Sequence, residues 1–346
     1  MMKITIKDVA KEAGVSIATV SRVLNNKDRV KKTTKKRVEA AIEKLNFKPN
    51  QVARTMIMKE TKSIGLLVPH LSNEYWSQLA EVIQEELWKA GYTVLISVTS
   101  TWENPLEREI AFLNNFIQRN VDGIIYCSIN EARNNYNPFI MELSSYHIPV
   151  VTVDQDITGV NQIRGDHING ATMAVEHLIG LGHKQIAHIG GPLLSPDREL
   201  GYRGAHFING LFINESIIKR GHPTFQFGYE AMNDLLEGKS ENPFSAVFCG
   251  NDLIALGVMR SLGNAGLQLP GDVAVVGYDD IQVSSMVKPA LTTVKQPIRE
   301  MGAGAVELLL NSIEKGVLEG ALPLKSVYPM ELVIRDSCGA SKKSNH

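Results

Sequence analysis

The side chains with chemistry to offer fall into two groups. The first is a polar set that follows short apolar runs: Asp154 after VVTV, Asn251-Asp252 after VFCG, Asp279-Asp280 after VVGY, and Gln296 after LTTVK. An aromatic pair, Tyr75-Trp76, opens the first long amphipathic stretch past residue 70. Carboxylates and amides can each hold two neighbouring hydroxyls, and an aromatic face covers the apolar side of a sugar ring. The set suits a carbohydrate-like ligand, although each loop Asp or Asn is also a favoured helix N-cap. Nothing in it suggests turnover. There is no GxxxxGK[ST], no Gly-rich dinucleotide fingerprint after the first strand and no GxSxG, and the adjacent Asp279 and Asp280 diverge rather than pair. His177, His183 and His188 look like a metal cluster, but two of them flank a turn and a strand start, so a structural role is expected. Neither a metal nor a cofactor is expected.

The second group lies within residues 6–25, IKDVAKEAGVSIATVSRVLN. Helix, glycine-containing turn and second helix make a helix-turn-helix layout. Small Ala10 lets the helices approach, and Val15 and Val20 fill the space between them. The second helix then shows Ile17, Ala18, Ser21 and Arg22 outward. Arg22 can pair bidentately with guanine O6/N7, and Ile17 and Ala18 can meet a thymine methyl. Ser16, Thr19, Ser21 and Asn25 are phosphate-contact types, and Arg29, Lys31, Lys32, Lys35 and Lys36 extend a positive strip. Thr5 is the expected N-cap of the first helix and counts among the candidate DNA contacts. A plain three-helix bundle with a charged surface would show much the same pattern.

Charge separates the two groups. Residues 1–62 carry 16 Lys and Arg against 6 Asp and Glu, a net of +10; the other 284 carry 20 against 31, a net of −11. A basic module for a polyanion joined to an acidic body has that asymmetry. The overall charge of −1 conceals it.

These groups need elements to hold them. A chain of 346 residues that is 44% apolar and 21% charged is an ordinary folded composition and long enough for two or three domains. In the first 60 residues the apolar positions recur at helical spacing, with Ser16 capping the second helix and a third starting after Thr33-Thr34. From residue 63 the pattern changes to apolar runs at 64–68, 93–98, 123–127, 150–154, 186–190, 246–250 and 273–278. Helical stretches such as 76–90 and 169–181 separate them. Runs apolar along their whole length, alternating with helices, predict parallel sheets covered on both faces. In such sheets ligands gather at the carboxyl ends of the strands, where the polar set stands. No apolar run reaches the ~18–20 residues that span a bilayer. The charged N-terminus lacks a signal h-region, and Cys127, Cys249 and Cys338 lie far apart with no CxxC. A cytoplasmic protein without a membrane partner is expected, nucleoid-associated when bound to DNA.

TIKDVAKEAGVSIATVSRVLN with the later PNQVARTM resembles the DNA-binding head of the LacI/GalR family of bacterial repressors. The similarity continues through KSIGLLVP, VDGII, VEHLIGLGHKQIAHIGGP, FCGNDLIALGVM, GDVAVVGYDD and PALTTVKQP, in family order over nearly the whole chain. The resemblance implies an α/β fold: a helical helix-turn-helix domain (1–48), a hinge helix or linker (49–60), and a body (61–340) like periplasmic sugar-binding proteins. The body would have two doubly wound parallel-sheet lobes, about 61–163 with 293–323 and about 164–292 with 324–340. The chain would cross between them near 163–164, 291–293 and 322–324, and a polar tail, 341–346, would follow.

For function, the resemblance implies a homodimeric repressor of carbohydrate genes that binds near-palindromic double-stranded operator DNA with a central CpG step. A small-molecule effector, sugar-like, would bind between the lobes and control the affinity. Ile17-Ala18 occupies the pair that varies with operator sequence, and Arg22 the guanine-reading position. In the hinge, Ala53 and Arg54 carry over as minor-groove or backbone contacts. Met56 stands at the position of the apolar wedge that unstacks the central base step, where leucine is usual. Asp154, Asn251, Asp279 and Gln296 match effector contacts, Tyr75-Trp76 matches the aromatic pair, and Arg198 the arginine that grips the effector. Alternatives left by the sequence are a purine effector, a phosphoprotein co-regulator, or a sugar-binding receptor without a regulatory role.

Overall fold

A computed structural model describes residues 4–24, 30–47, 60–99, 105–128, 138–191, 196–238, 241–316 and 322–340. The chain divides into two compact units, Met1–Thr61 and Lys62–His346.

In the head, α1 (Ile6–Ala13) starts at Thr5. The Asp8 carboxylate accepts the Thr5 N–H at 2.8 Å and its hydroxyl at 2.7 Å. This ties down the first turn and places a negative charge at the positive end of the helix dipole. The helix stops at Gly14, which takes the left-handed conformation (φ 60) that a Cβ would oppose. Two residues later Ser16 caps α2 (Ile17–Leu24), its hydroxyl accepting the Thr19 N–H at 3.1 Å. The third helix, α3 (Lys32–Lys44), begins ahead of Thr33-Thr34 rather than after it. Lys31 is its N-cap without a side-chain bond, so the threonines sit inside the first turn. Val9, Ala10, Val20, Val23, Val38 and Phe47 close the small core.

The body holds two six-stranded sheets. One is built from β1 (Ser63–Val68), β2 (Thr93–Val98), β3 (Gly123–Cys127), β4 (Val150–Val153) and β5 (Asn161–Gly165). The second contains β6 (Ile186–Gly190), β7 (Ile218–Arg220), β8 (Ala246–Cys249), β9 (Ala274–Asp279) and β10 (Thr292–Lys295). The last two strands are shared out, β11 (Lys325–Tyr328) to the first sheet and β12 (Glu331–Val333) to the second. The orders, β11-β5-β4-β3-β1-β2 and β12-β10-β9-β8-β6-β7, repeat one plan. Every pairing is parallel except β10 with β12. Parallel strands need crossovers, and helices supply them: α4 (Glu74–Lys89), α5 (Pro105–Gln118) and α6 (Pro138–Ser145) in the first lobe. In the second these are α7 (His167–Gly180), α8 (Pro196–Ile208), α9 (Phe225–Glu237) and α10 (Asp252–Asn264). The next helix, α11 (Ile298–Lys315), returns to the first lobe, where Met301, Ala305 and Leu309 pack with Leu79 and Ile83 of α4.

The lobe boundaries differ from those expected. The chain leaves the first sheet after Gly165, the second after Lys295 and the first again after Tyr328, a few residues past the expected 163–164, 291–293 and 322–324. In each case the strand at the exit is completed before the chain crosses. NQIRG, TTVK and KSVY are short and only partly apolar, so apolar runs alone do not reveal them; β7 and β12 are missed for the same reason. Among the described residues no helix is long and apolar enough to cross a membrane.

Candidate functional site

In the head, Ile17, Ala18 and Arg22 of α2 are exposed, while Ser21 and Thr19 are half-buried. Val20 and Val23 take the opposite, buried side. Ile17 leaves 45% of its surface in solvent, an apolar exposure that a folded head does not need for itself. Ser16 is spent as the cap of α2 and also meets the Thr19 hydroxyl at 2.9 Å. Thr5 is engaged with Asp8. Asn25, Arg29, Ala53, Arg54, Met56, the hinge segment through residue 59 and the 341–346 tail lie outside the described residues.

In the body, the strand ends gather the predicted polar set around one chain of contacts. Asp154, just past β4, adopts a left-handed backbone (φ 55) that turns it out of the strand. Its Oδ2 accepts the Tyr75 hydroxyl at 2.7 Å; its Oδ1 accepts the Gly165 N–H at 3.0 Å and lies 3.0 Å from His167 Nε2. Burial alone would raise this carboxyl, but the His167 imidazole and these donors hold it down at about 2. The Tyr75 phenol is pushed well up by burial and by the Asp154 charge, which keeps it a donor. Trp76 is buried beside Tyr75, their rings edge-to-face at 4.7 Å.

His167 carries the chain into the second lobe, its Nδ1 lying 3.2 Å from the Tyr278 hydroxyl. The Arg198 guanidinium lies over the Tyr278 ring at 3.9 Å, an arrangement that favours a cation, and its Nη1 is 3.2 Å from Asp279 Oδ1. The same nitrogen donates to the Gly250 carbonyl at 2.5 Å. Gln296 Nε2 donates to Asp279 Oδ1 at 2.7 Å. Burial leaves the Asp279 carboxyl above its ordinary range, with Arg198 and Gln296 pulling against it. Within this network two buried side-chain atoms, Arg198 Nε and Gln296 Oε1, have no hydrogen-bond partner. Buried polar atoms are nearly always hydrogen-bonded, so a donor and an acceptor left over in one cluster point to a ligand.

Six of the seven residues proposed from the sequence thus fall in or beside one network; Asn251 differs. Its Oδ1 caps α10 through the Ile254 N–H at 2.9 Å, the ordinary work of an N-cap asparagine, and its amide reaches only the Pro223 carbonyl at 3.5 Å. Asp252 is structural: it accepts the Ile281 N–H and the Ser284 and Thr293 hydroxyls. Burial, helped by the Asp279 charge, raises it to about 7. Asp280 pairs with Arg335 at 2.6 Å. His167 and Tyr278 were not foreseen. Tyr278 ends an apolar run and reads as core, and His167 follows a strand that the apolar pattern hides. Two further links join the lobes: Arg164 pairs with Asp197, and Glu74 Oε1 accepts the Gln282 N–H at 2.7 Å.

The three histidines serve the fold. His188 stacks between Tyr202 and Phe248, where burial lowers it to about 4; His177 faces Cys338 and His183 faces Ser245. No group of three or more potential ligands that could hold a metal exists among the described residues. All three cysteines are buried free thiols.

A helix-turn-helix head and a two-sheet body with a polar network at the strand ends define a class, the ligand-responsive DNA-binding regulators. The head matches "Bacterial regulatory proteins, lacI family" over residues 5–50, and residues 175–338 match "Periplasmic binding protein-like domain". Catabolite control protein A of Priestia megaterium is 37% identical over 328 residues, 93% of this chain and 96% of that one. The ribose operon repressor of Escherichia coli is 35% identical over 321 residues, 91% and 94% of the two chains. The chain belongs to the LacI family. The crystal structure of the lac repressor dimer bound to operator and the anti-inducer ONPF superposes with a TM-score of 0.85 at 30% identity, over 97% of this chain and 99% of that one.

Proposed function

We propose that the protein is a cytoplasmic, homodimeric repressor that reads a near-palindromic operator through α2. A small hydroxyl-rich effector, a sugar, held between the lobes sets its affinity for that operator. The observation that carries the effector assignment is that a buried donor, Arg198 Nε, and a buried acceptor, Gln296 Oε1, are both left without a partner in the same network. Hydroxyls both donate and accept, so a hydroxyl-rich ligand has the groups to satisfy both kinds of atom. The cations support the same chemistry, since Arg198 is matched by Asp279 and Arg164 by Asp197. The role is binding rather than catalysis. Within the cleft, Asp279, Arg198 and Gln296 hold the effector from the second lobe, and Tyr75, Trp76 and Asp154 meet it from the first. In the head, Ile17, Ala18 and Arg22 read bases, while Thr5, Ser16, Thr19, Ser21, Asn25 and Arg29 position the phosphates. Met56 is the minor-groove wedge, and Ala53 and Arg54 make minor-groove or backbone contacts.

Linkage supplies the mechanism. An effector shifts operator affinity only by binding the two lobe arrangements unequally, and the operator shifts effector affinity by the same factor. The test is a thermal-shift panel of neutral sugars, sugar phosphates and purine bases on the full chain, followed by operator binding with and without each hit. Stabilisation by a neutral sugar that also moves operator affinity supports the proposal. Stabilisation by a purine alone removes the sugar assignment.

A further inference from the structure

Arg37 stands in α3 next to Lys36, on the strip of basic residues that a DNA-binding head would turn toward phosphate. Its guanidinium is engaged elsewhere. Nη2 donates to the Ala13 carbonyl at 2.6 Å and to the Gly14 carbonyl at 3.1 Å. These two acceptors sit where α1 ends and its own ladder runs out. The amides of Gly14 and Val15 fold back on Lys11 and Ala10, which satisfies those earlier carbonyls and not the last two.

The local backbone is shaped around this contact. Gly14 is left-handed, and a Cβ there would meet Arg37 Nη2 at 3.2 Å. A cation at the C-terminal end of α1 also faces the negative pole of its dipole. Gly14, Val15 and Ser16 alone separate α1 from α2. Arg37 fixes the first end of this short turn, and Ser16, through Thr19, fixes the other. Ile17, Ala18 and Arg22 follow at once, so the direction in which α2 leaves the turn decides where they point.

We infer that Arg37 is a positioning residue for DNA reading. It holds the α1–α2 turn from α3 and so aims the recognition helix, instead of contributing a phosphate contact. The inference rests on the DNA-reading role of the head, and the two fail differently.

The experiment uses the full chain. The wild type first selects its preferred duplex from a randomised pool. Binding of that duplex and of a random-sequence duplex is then measured across a salt series for wild type, Arg37→Met and Arg37→Lys, with the helical circular-dichroism signal monitoring folding. For Arg37→Met the ratio of specific to random affinity should fall about fivefold to tenfold, the worth of one charge-assisted hydrogen bond weakened by solvent. The salt slope should stay unchanged. Arg37→Lys, which keeps the charge but has no planar fork, should lose about half that ratio on a logarithmic scale. If Arg37→Met does not fold, Arg37→Lys decides alone. An equal loss on both duplexes with a slope smaller by about 1 makes Arg37 a phosphate contact and overturns the inference. An unchanged ratio in a folded variant overturns it as well. A wild type that enriches no sequence overturns the DNA-reading role itself.

Discussion

In the head, the side chains assigned to base reading stand in solvent, and the fold below them is closed without their help; in the body, Asp279, Arg198 and Gln296 are each at least 95% buried and hold one another. The DNA face is a surface laid over a finished core. The network proposed to hold the effector is part of the core, with Tyr278 and His167 joining its two halves. Substitution in the head should therefore change recognition while leaving the fold intact. Substitution in the cleft should change folding and recognition together.

The largest effect that would sharpen this contrast is salt dependence. An exposed basic face contacting 6 to 10 phosphates should lose about a thousandfold to a hundred-thousandfold in affinity between 50 and 200 mM salt. Effector binding, measured by calorimetry over the same range, should hardly move, because its ions are buried and paired. Next is Asp279→Ala, which strips Arg198 of its buried carboxylate partner. Urea denaturation should show about 3–5 kcal/mol lost from the body. A variant as stable as wild type would break the contrast. Arg22→Ala should leave denaturation unchanged and cost about 1–3 kcal/mol in operator binding, concentrated at one base pair. Equal loss on every sequence would deny it a base-reading role. Ser16→Ala lies between the two cases, because the cap serves both fold and recognition; about 1 kcal/mol of head stability should go.

Acidity adds a final test, confined to the body. The Asp154 carboxyl, held at about 2, stabilises the fold above the ordinary carboxylate range of about 4, and that stabilisation is lost as the pH falls from about 4 through 2. Asp252, raised to about 7, acts in the opposite sense: its contribution is complete below about pH 4 and disappears as the pH rises through 7. Denaturation midpoints followed from pH 2 to 8 should rise and then fall, and Asp252→Asn should flatten the falling limb.

Much of this is legible in the amino-acid sequence. Six of the seven apolar runs mark strands inside the sheets, because a parallel strand covered on both faces has few polar positions to interrupt it; the seventh, β2, lies at an edge. Polar residues directly after those runs marked the cleft, since a strand end is where the backbone leaves the sheet; the left-handed turns at Asp154 and Asp279 are that departure. The edge strands β7, β11 and β12, with the interior β5 and β10, carry no such run: in β11, Lys325 and Ser326 interrupt the apolar signal. Asn251 shows the limit of residue type as a guide, because its oxygen caps a helix with the same atom that could have held a hydroxyl. Arg37 shows the converse, since a basic residue on a basic strip gave no sign that its partners were backbone carbonyls.

The threefold crossing between the lobes has a consequence for how the chain comes off the ribosome. The first lobe needs α11 and β11, which are made after every strand of the second lobe except β12. Neither lobe can finish as a contiguous piece of nascent chain. The N-terminal lobe must wait with the surface for α11 uncovered while about 130 further residues emerge, the long-range order that slows folding and exposes apolar surface. Synthesis order thus makes the first lobe a natural client for a chaperone, and a chain cut anywhere between β10 and β11 leaves both lobes unfinished.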